Sequence, residues 1–170
     1  MAANFTIHGP FSVPTTLKKI KGGKVSIRQI SLVSNLWKKD PFSDFAEKKG
    51  CYVFANAVTN GSKPIYVGRT NKSFKNECFA TSKKAMLNEF LAEATKTGLQ
   101  IYFVVLNHKK DCFEEIDLCE TLLIQQCKEA NASLLNVRKL SKKFTIKSFH
   151  GDKSKATGDV IEFKKCLKIK

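Results

Sequence analysis

Gly50-Cys51-Tyr52-Val53-Phe54-Ala55-Asn56-Ala57-Val58, then Thr59-Asn60-Gly61-Ser62-Lys63-Pro64, then Ile65-Tyr66-Val67-Gly68: the fold turns on this stretch. Its first run is rich in β-formers and apolar on both alternating sides, the pattern of a buried strand. Asn, Gly, Ser and Pro crowd the middle, which is turn chemistry, and the last run returns as a second strand. A β-hairpin therefore leads the core. Upstream, Asp40 before Pro41 reads as an N-cap and first-turn pair opening a short helix through Phe45 and Ala46. Downstream, a helix begins near Ser73, with Met86, Leu87, Phe90, Leu91 and Ala94 on one apolar stripe. Gly98 ends it. Leu99 to Leu106 is a third strand, and Asp111 with Glu114 resembles a capping box for a helix running to about Ala130.

The order β-β-α-β-α gives an α/β (α+β) class: a small central antiparallel sheet flanked by helices. Three zones follow. Residues 1–39 mix short β-like runs (Phe5-Thr6-Ile7, Val25-Ser26-Ile27) with Gly and Pro breaks and form a β-rich extension. Residues 40–137 are the core. Residues 138–170 hold eleven Lys and Arg against three acids, and their runs Phe144-Thr145-Ile146 and Val160-Ile161-Glu162-Phe163 suggest a basic β-hairpin.

Across 170 residues, 30 Lys and Arg face 15 Asp and Glu, a formal charge of +15. A charge that large points to a polyanionic partner, nucleic acid ahead of an anionic membrane surface, since no amphipathic polybasic helix or lipidation motif is visible. The longest dense apolar run, Ile101 to Leu106, is too short to span a bilayer. Six cysteines without C-x-x-C spacing argue against a zinc site, and the N-terminus has no apolar signal-peptide core; a cytoplasmic protein with reduced thiols is expected. His8, His108 and His150 are read as incidental, and Trp37 as a core residue.

Two features of the core carry chemistry. Tyr52 and Tyr66, two of only three tyrosines, fall on adjacent strands and can present two phenols on one face. Ordinary β-formers with wet hydroxyls are the plain alternative. Glu120 shares a helical stripe with Ile116, Leu123, Ile124 and Cys127, so a carboxylate faces the core. Leaving it buried and unpaired is costly. Either a Lys or Arg partner or a divalent cation can relieve it, and pattern alone leaves both open.

Gly50-Cys51-Tyr52 and Ile65-Tyr66-Val67-Gly68 resemble the paired motifs of the GIY-YIG nuclease family. Glu120-Thr121-Leu122-Leu123-Ile124 and Leu134-Leu135-Asn136 resemble that family's metal-binding Glu and its downstream Leu-Asn; the likeness spans about residues 48–137. Cys51 replaces the usual Ile. The resemblance implies an endonuclease that hydrolyses phosphodiester bonds, in DNA foremost. Glu120 would hold Mg²⁺ or Mn²⁺, Tyr52 would activate water, and Tyr66 would hydrogen-bond that water or a phosphate oxygen. Asn136 would hydrogen-bond across the site, although a turn-forming Asn explains it equally well. The family's helix Arg has no counterpart: Asn76 or Glu77 occupies its place, leaving Arg69 or Lys75 to supply the cation a phosphorane needs. Lys72, Lys83, Lys84, Lys139, Lys142, Lys143 and Lys147 are the expected nucleic-acid contacts. The other readings are an inactive nuclease-like module that binds DNA or RNA, and a subunit complementing an acidic protein.

Overall fold

The computed structural model describes residues 4–19, 26–31, 35–59, 61–93, 98–107, 112–136, 138–139 and 156–168. It is a mixed α+β structure. Strands β1 (Phe5–Ser12), β4 (Gly50–Val58), β5 (Gly61–Thr70) and β6 (Leu99–Leu106) form one antiparallel sheet in the order β1-β6-β4-β5. A separate hairpin pairs β2 (Thr15–Lys19) with β3 (Ser26–Ile30). Helices α1 (Phe74–Glu77), α2 (Thr81–Glu93), α3 (Phe113–Ala130) and α4 (Ala156–Cys166) complete the described elements, with two 3₁₀ turns at Leu36–Lys38 and Phe42–Phe45.

The sheet separates two apolar layers, as expected for strands apolar on both faces. Cys51, Val53 and Ala55 of β4 pack with Ile116, Leu123, Ile124 and Cys127 of α3 and Phe163 of α4. The alternate residues Tyr52 and Phe54 pack with Phe74 of α1, Leu87 and Leu91 of α2, and Phe42 and Phe45. Trp37 joins this second layer, its ring 5.6 Å from Phe42 and 6.2 Å from Phe103. The His8 ring lies tilted against Phe45, centroids 4.9 Å apart.

Several sequence expectations are corrected. The β4–β5 hairpin is longer than read: Val58 pairs with Gly61, so pairing runs through residues assigned to a loop, and Pro64 sits where the register shifts on an edge strand. An edge leaves Pro's missing N–H without cost to a ladder. The N-terminal run is part of the core sheet, because β1 pairs along β6 from Phe5↔Leu106 to Ser12↔Gln100. Pro41, and not Asp40, is the residue before the 3₁₀ turn; Asp40 Oδ1 instead accepts a 2.7 Å bond from Ser43 Oγ. The single helix expected from Ser73 is broken between α1 and α2, with Ser73 Oγ accepting from Asn76 N at 3.4 Å as the cap of α1. Cys112 stands at the N-cap of α3 without a side-chain bond, and Asp111 lies outside the described residues.

The largest correction is C-terminal. Val160-Ile161-Glu162-Phe163 is helical, within α4, and not a strand of a basic hairpin. Phe163, Cys166 and Leu167 are buried at i, i+3 and i+4, while Ile161 is 45% exposed. A strand would turn Ile161 and Phe163 to the same face. Phe163 packs 5.0 Å from Tyr102, and Asp159 Oδ2 accepts from Gly9 N at 3.1 Å where β1 shifts register. Phe144-Thr145-Ile146 lies outside the described residues. In urea unfolding, Phe163→Ala should cost about 3–5 kcal/mol and Ile161→Ala less than about 1 kcal/mol. Equal costs would contradict a docked helix.

Candidate active site

A cleft of about 700 Å³ opens at the edge strand β5, lined by residues of β5, the turn after it, α1, α2, α3 and the segment 135–139. The glycines of the hairpin shape its floor. A Cβ on Gly68 would lie 2.3 Å from Tyr52 Cζ and Oη, so only glycine lets that ring cross β5. A Cβ on Gly50, at φ +143°, would lie 2.2 Å from the Val104 carbonyl oxygen.

Tyr52 and Tyr66 do share one side of the sheet, their ring centroids 6.4 Å apart, but they occupy different depths. Tyr66 is half-buried and lines the cleft. Tyr52 is fully enclosed beneath it, and its hydroxyl has no hydrogen-bond partner among the described residues. Burial raises the Tyr52 phenol far above its ordinary value, reinforced by Cys78, Tyr66, Glu77 and Glu120. Burial and then Glu120 push the Tyr66 phenol up to about 12. Both are neutral donors near neutral pH, and the water-activating position expected of Tyr52 is not on the cleft wall.

Glu120 is relieved by cations of the chain itself. Its Oε2 accepts from Arg69 Nε at 3.0 Å and from Lys139 Nζ at 2.7 Å. Asp117, one turn earlier on α3, shares both partners: Oδ1 is 3.1 Å from Arg69 Nη2 and 2.5 Å from Lys139 Nζ. The four side chains are partly buried, Glu120 most at 13% exposure. Desolvation pulls the Lys139 ammonium down, but its hydrogen bonds to Asp117 and Glu120 outweigh this and hold it above its ordinary value. Lys139 adopts φ 64°, a left-handed backbone.

Among the described residues five cations line the cleft: Arg69, Lys72, Lys83, Arg138 and Lys139. Glu77 and Glu120 are its acids, and Glu77 pairs with Lys83. Asn76 and Glu77, either of which stands where the resemblance expects Arg, both line it. Lys75 does not: it is exposed and 3.7 Å from Glu47, on the far side of the short α1 turn. Lys84 follows Lys83 on α2 but is not among the lining residues. Lys142, Lys143 and Lys147 lie outside the described residues.

Asn136 lines the cleft, yet its amide is engaged with the strand: Oδ1 accepts from Val67 N and Nδ2 donates to Val67 O, both at 2.8 Å. Sequence reasoning missed Asp117, Arg138 and the cleft-lining Asn71. A carboxylate three residues before Glu120 on a helix is a readable signal, since i and i+3 share a face. Arg138 beside Lys139 was equally readable.

Among the described residues no group of three or more His, Cys, Asp or Glu could hold a metal ion, and no helix is long and apolar enough to cross a membrane. Among the described residues the carboxylates at the cleft are Glu120, Glu77 and, beside Glu120 on α3, Asp117, and a carboxylate such as Glu120 suits Mg²⁺ where water and phosphate complete the shell. No family model, curated protein or solved structure matches the chain.

Tyr102 is raised too, by burial first, so all three phenols titrate above their ordinary value of about 10. The folded state then keeps protons that the unfolded chain releases, so stability is unaffected below pH ~10 and falls as pH rises from there through about 12. Ultraviolet titration should show no phenolate below pH ~10, followed by ionisation together with unfolding. One tyrosine ionising near its ordinary value in folded protein would contradict this burial.

Proposed function

We propose that this chain is a GIY-YIG-type endonuclease that hydrolyses phosphodiester bonds in nucleic acid, DNA foremost, with Mg²⁺ or Mn²⁺ held at Glu120. The observation that supports the reading is the convergence of Tyr66, Glu120 and five cations on one open cleft. A flexible polyanion is the ligand such a cleft suits, and fixed cations stabilise the charge a phosphorane gains.

Glu120 would hold the ion and Asp117 would offer a second carboxylate one turn away. When bound, such an ion acts as a Lewis acid on the scissile phosphate. The chain's own residues supply the rest. Arg69, which lines the cleft and meets both Asp117 and Glu120, takes the role the absent helix Arg would have had. Lys72, Lys83 and Arg138 hold flanking phosphates. Tyr66, a neutral phenol, orients the attacking water or a phosphate oxygen. Tyr52 is a positioning residue, supporting Tyr66 from below.

A second reading, a nuclease-like module that binds nucleic acid without cutting it, has its own observation. Arg69 and Lys139 already neutralise Glu120, and Asn76 carries no charge.

Incubating wild type and Glu120→Ala with supercoiled plasmid, and with a branched and an RNA substrate, in Mg²⁺, Mn²⁺ or EDTA separates the two. Metal-dependent scission should fall more than about 100-fold in Glu120→Ala, beyond the usual loss for an outer-shell partner. Salt-sensitive binding by both proteins with no scission of any substrate favours the binding module. If all five cations meet phosphates, they should contribute about −4.5 to the slope with which duplex DNA binding weakens against log salt. Lys72→Ala should flatten that slope by about one, whereas Lys75→Ala should leave it unchanged.

A further inference from the structure

One aromatic side chain at the cleft has no part in the hydrolytic reading. Among the described residues the exposed large apolar side chains are Leu17, Val58, Phe113, Leu118 and Ile161, and Phe113 is the aromatic one, 55% exposed. It opens α3 and shares a helical stripe with Asp117, Glu120 and Ile124, at spacings of four, three and four residues. Glu120 and Ile124 line the cleft, so this stripe runs from the cleft wall out to Phe113. A contact fixes that end independently: the Arg69 guanidinium carbon lies 4.7 Å from the Phe113 ring centroid. The same guanidinium bonds Asp117 and Glu120. The exposed ring therefore stands beside the cleft's central cation, at its rim.

We propose that Phe113 is a stacking platform for an unpaired nucleobase, and that the cleft's substrate carries a single-stranded stretch next to the phosphate met by Arg69. This rests on the nucleic-acid reading above and narrows it. Bases inside a duplex have both faces covered by their neighbours, so an exposed ring finds a partner only in an unpaired or extruded base. Aromatic side chains beside a cationic groove are the means by which single strands are held without sequence readout, because every base has a π-face. The Arg69 contact keeps the ring in place and sets a phosphate-binding cation one side chain away from it.

Anisotropy in EDTA, which prevents cleavage, tests this with three labelled probes: a short oligothymidine, an abasic strand with the same number of phosphates, and a duplex. Wild type should prefer oligothymidine over the abasic strand by roughly 5- to 150-fold for one stacked base. Phe113→Ala should lose that preference while binding the abasic strand and the duplex within about twofold of wild type. Phe113→Trp should keep it. If Phe113→Ala retains the preference, or Phe113→Leu keeps it in full, the ring only packs under Arg69 and the proposal is overturned. Equal wild-type affinity for oligothymidine and abasic strand overturns stacking while leaving the phosphate-binding cleft intact. Binding to none of the three probes overturns the nucleic-acid reading itself, and this inference with it.

Discussion

The Tyr52 ring occupies the space that a side chain at residue 68 would need, and the site is built on that approach. Tyr52 faces Gly68 across the β4–β5 pair, so the ring and the missing Cβ fix the hairpin's register. Because side chains alternate along a strand, a slip of one residue would invert every neighbour. In the register held, Tyr66 joins the layer that contains α1 and α2, while Arg69 meets Asp117 and Glu120 of α3. The cleft thus draws on both layers because it straddles the sheet's edge. The same approach explains why Tyr52 is sealed: a ring that fills the space over a glycine has no room for water at its hydroxyl.

That edge has to be satisfied, since β5 is the last strand and would otherwise present free N–H and C=O groups. The segment after α3 does this with side chains and backbone together. Asn131 Nδ2 donates to the Pro64 carbonyl, Leu135 N donates to the Ile65 carbonyl, and Asn136 engages both polar groups of Val67. Asn136 imitates one residue of a neighbouring strand. Covering the edge in this way also delivers Arg138 and Lys139 to the cleft directly after Asn136. The tripeptide Leu134-Leu135-Asn136 is therefore structural in its contacts, and the path it sets brings Arg138 and Lys139 to the cleft.

This division explains what was legible in the sequence. β6 was readable to the residue, because Leu99–Leu106 is buried on both faces and cannot alternate. The Glu120 stripe was readable because α3 is long and its apolar positions recur at helical spacing. β1 was readable as a strand but not as a member of the core sheet, since its partner lies some ninety residues away and pairing over that distance leaves no local trace. Val160-Ile161-Glu162-Phe163 misled because four residues satisfy a strand and a helix equally; Cys166 and Leu167, beyond the run, decide for the helix. Lys75 and Lys139 show the same limit at the site. Both are lysines near a motif, and only the tertiary path of each chain segment sends one to Glu47 and the other to Glu120.

The quartet of Arg69, Lys139, Asp117 and Glu120 carries two opposed demands. As an ion-pair network it allows a carboxylate to sit on an otherwise core-facing stripe, partly out of water, with every charge answered. On the proposed reading the same network holds two cations away from an incoming phosphate. Exposed ion pairs contribute little and yield easily, but these are about three-quarters buried or more at Arg69 and Glu120, where breaking one partner leaves the other charge in a poor solvent. An incoming phosphate that draws Lys139 or Arg69 towards itself takes part of the charge that answers Glu120 and Asp117. A divalent cation arriving with the phosphate would restore that charge, and so would strengthen the binding that a phosphate alone achieves. On the proposed reading the network would thus couple anion binding and cation binding at one place, each favouring the other, as a metal-assisted phosphodiesterase requires.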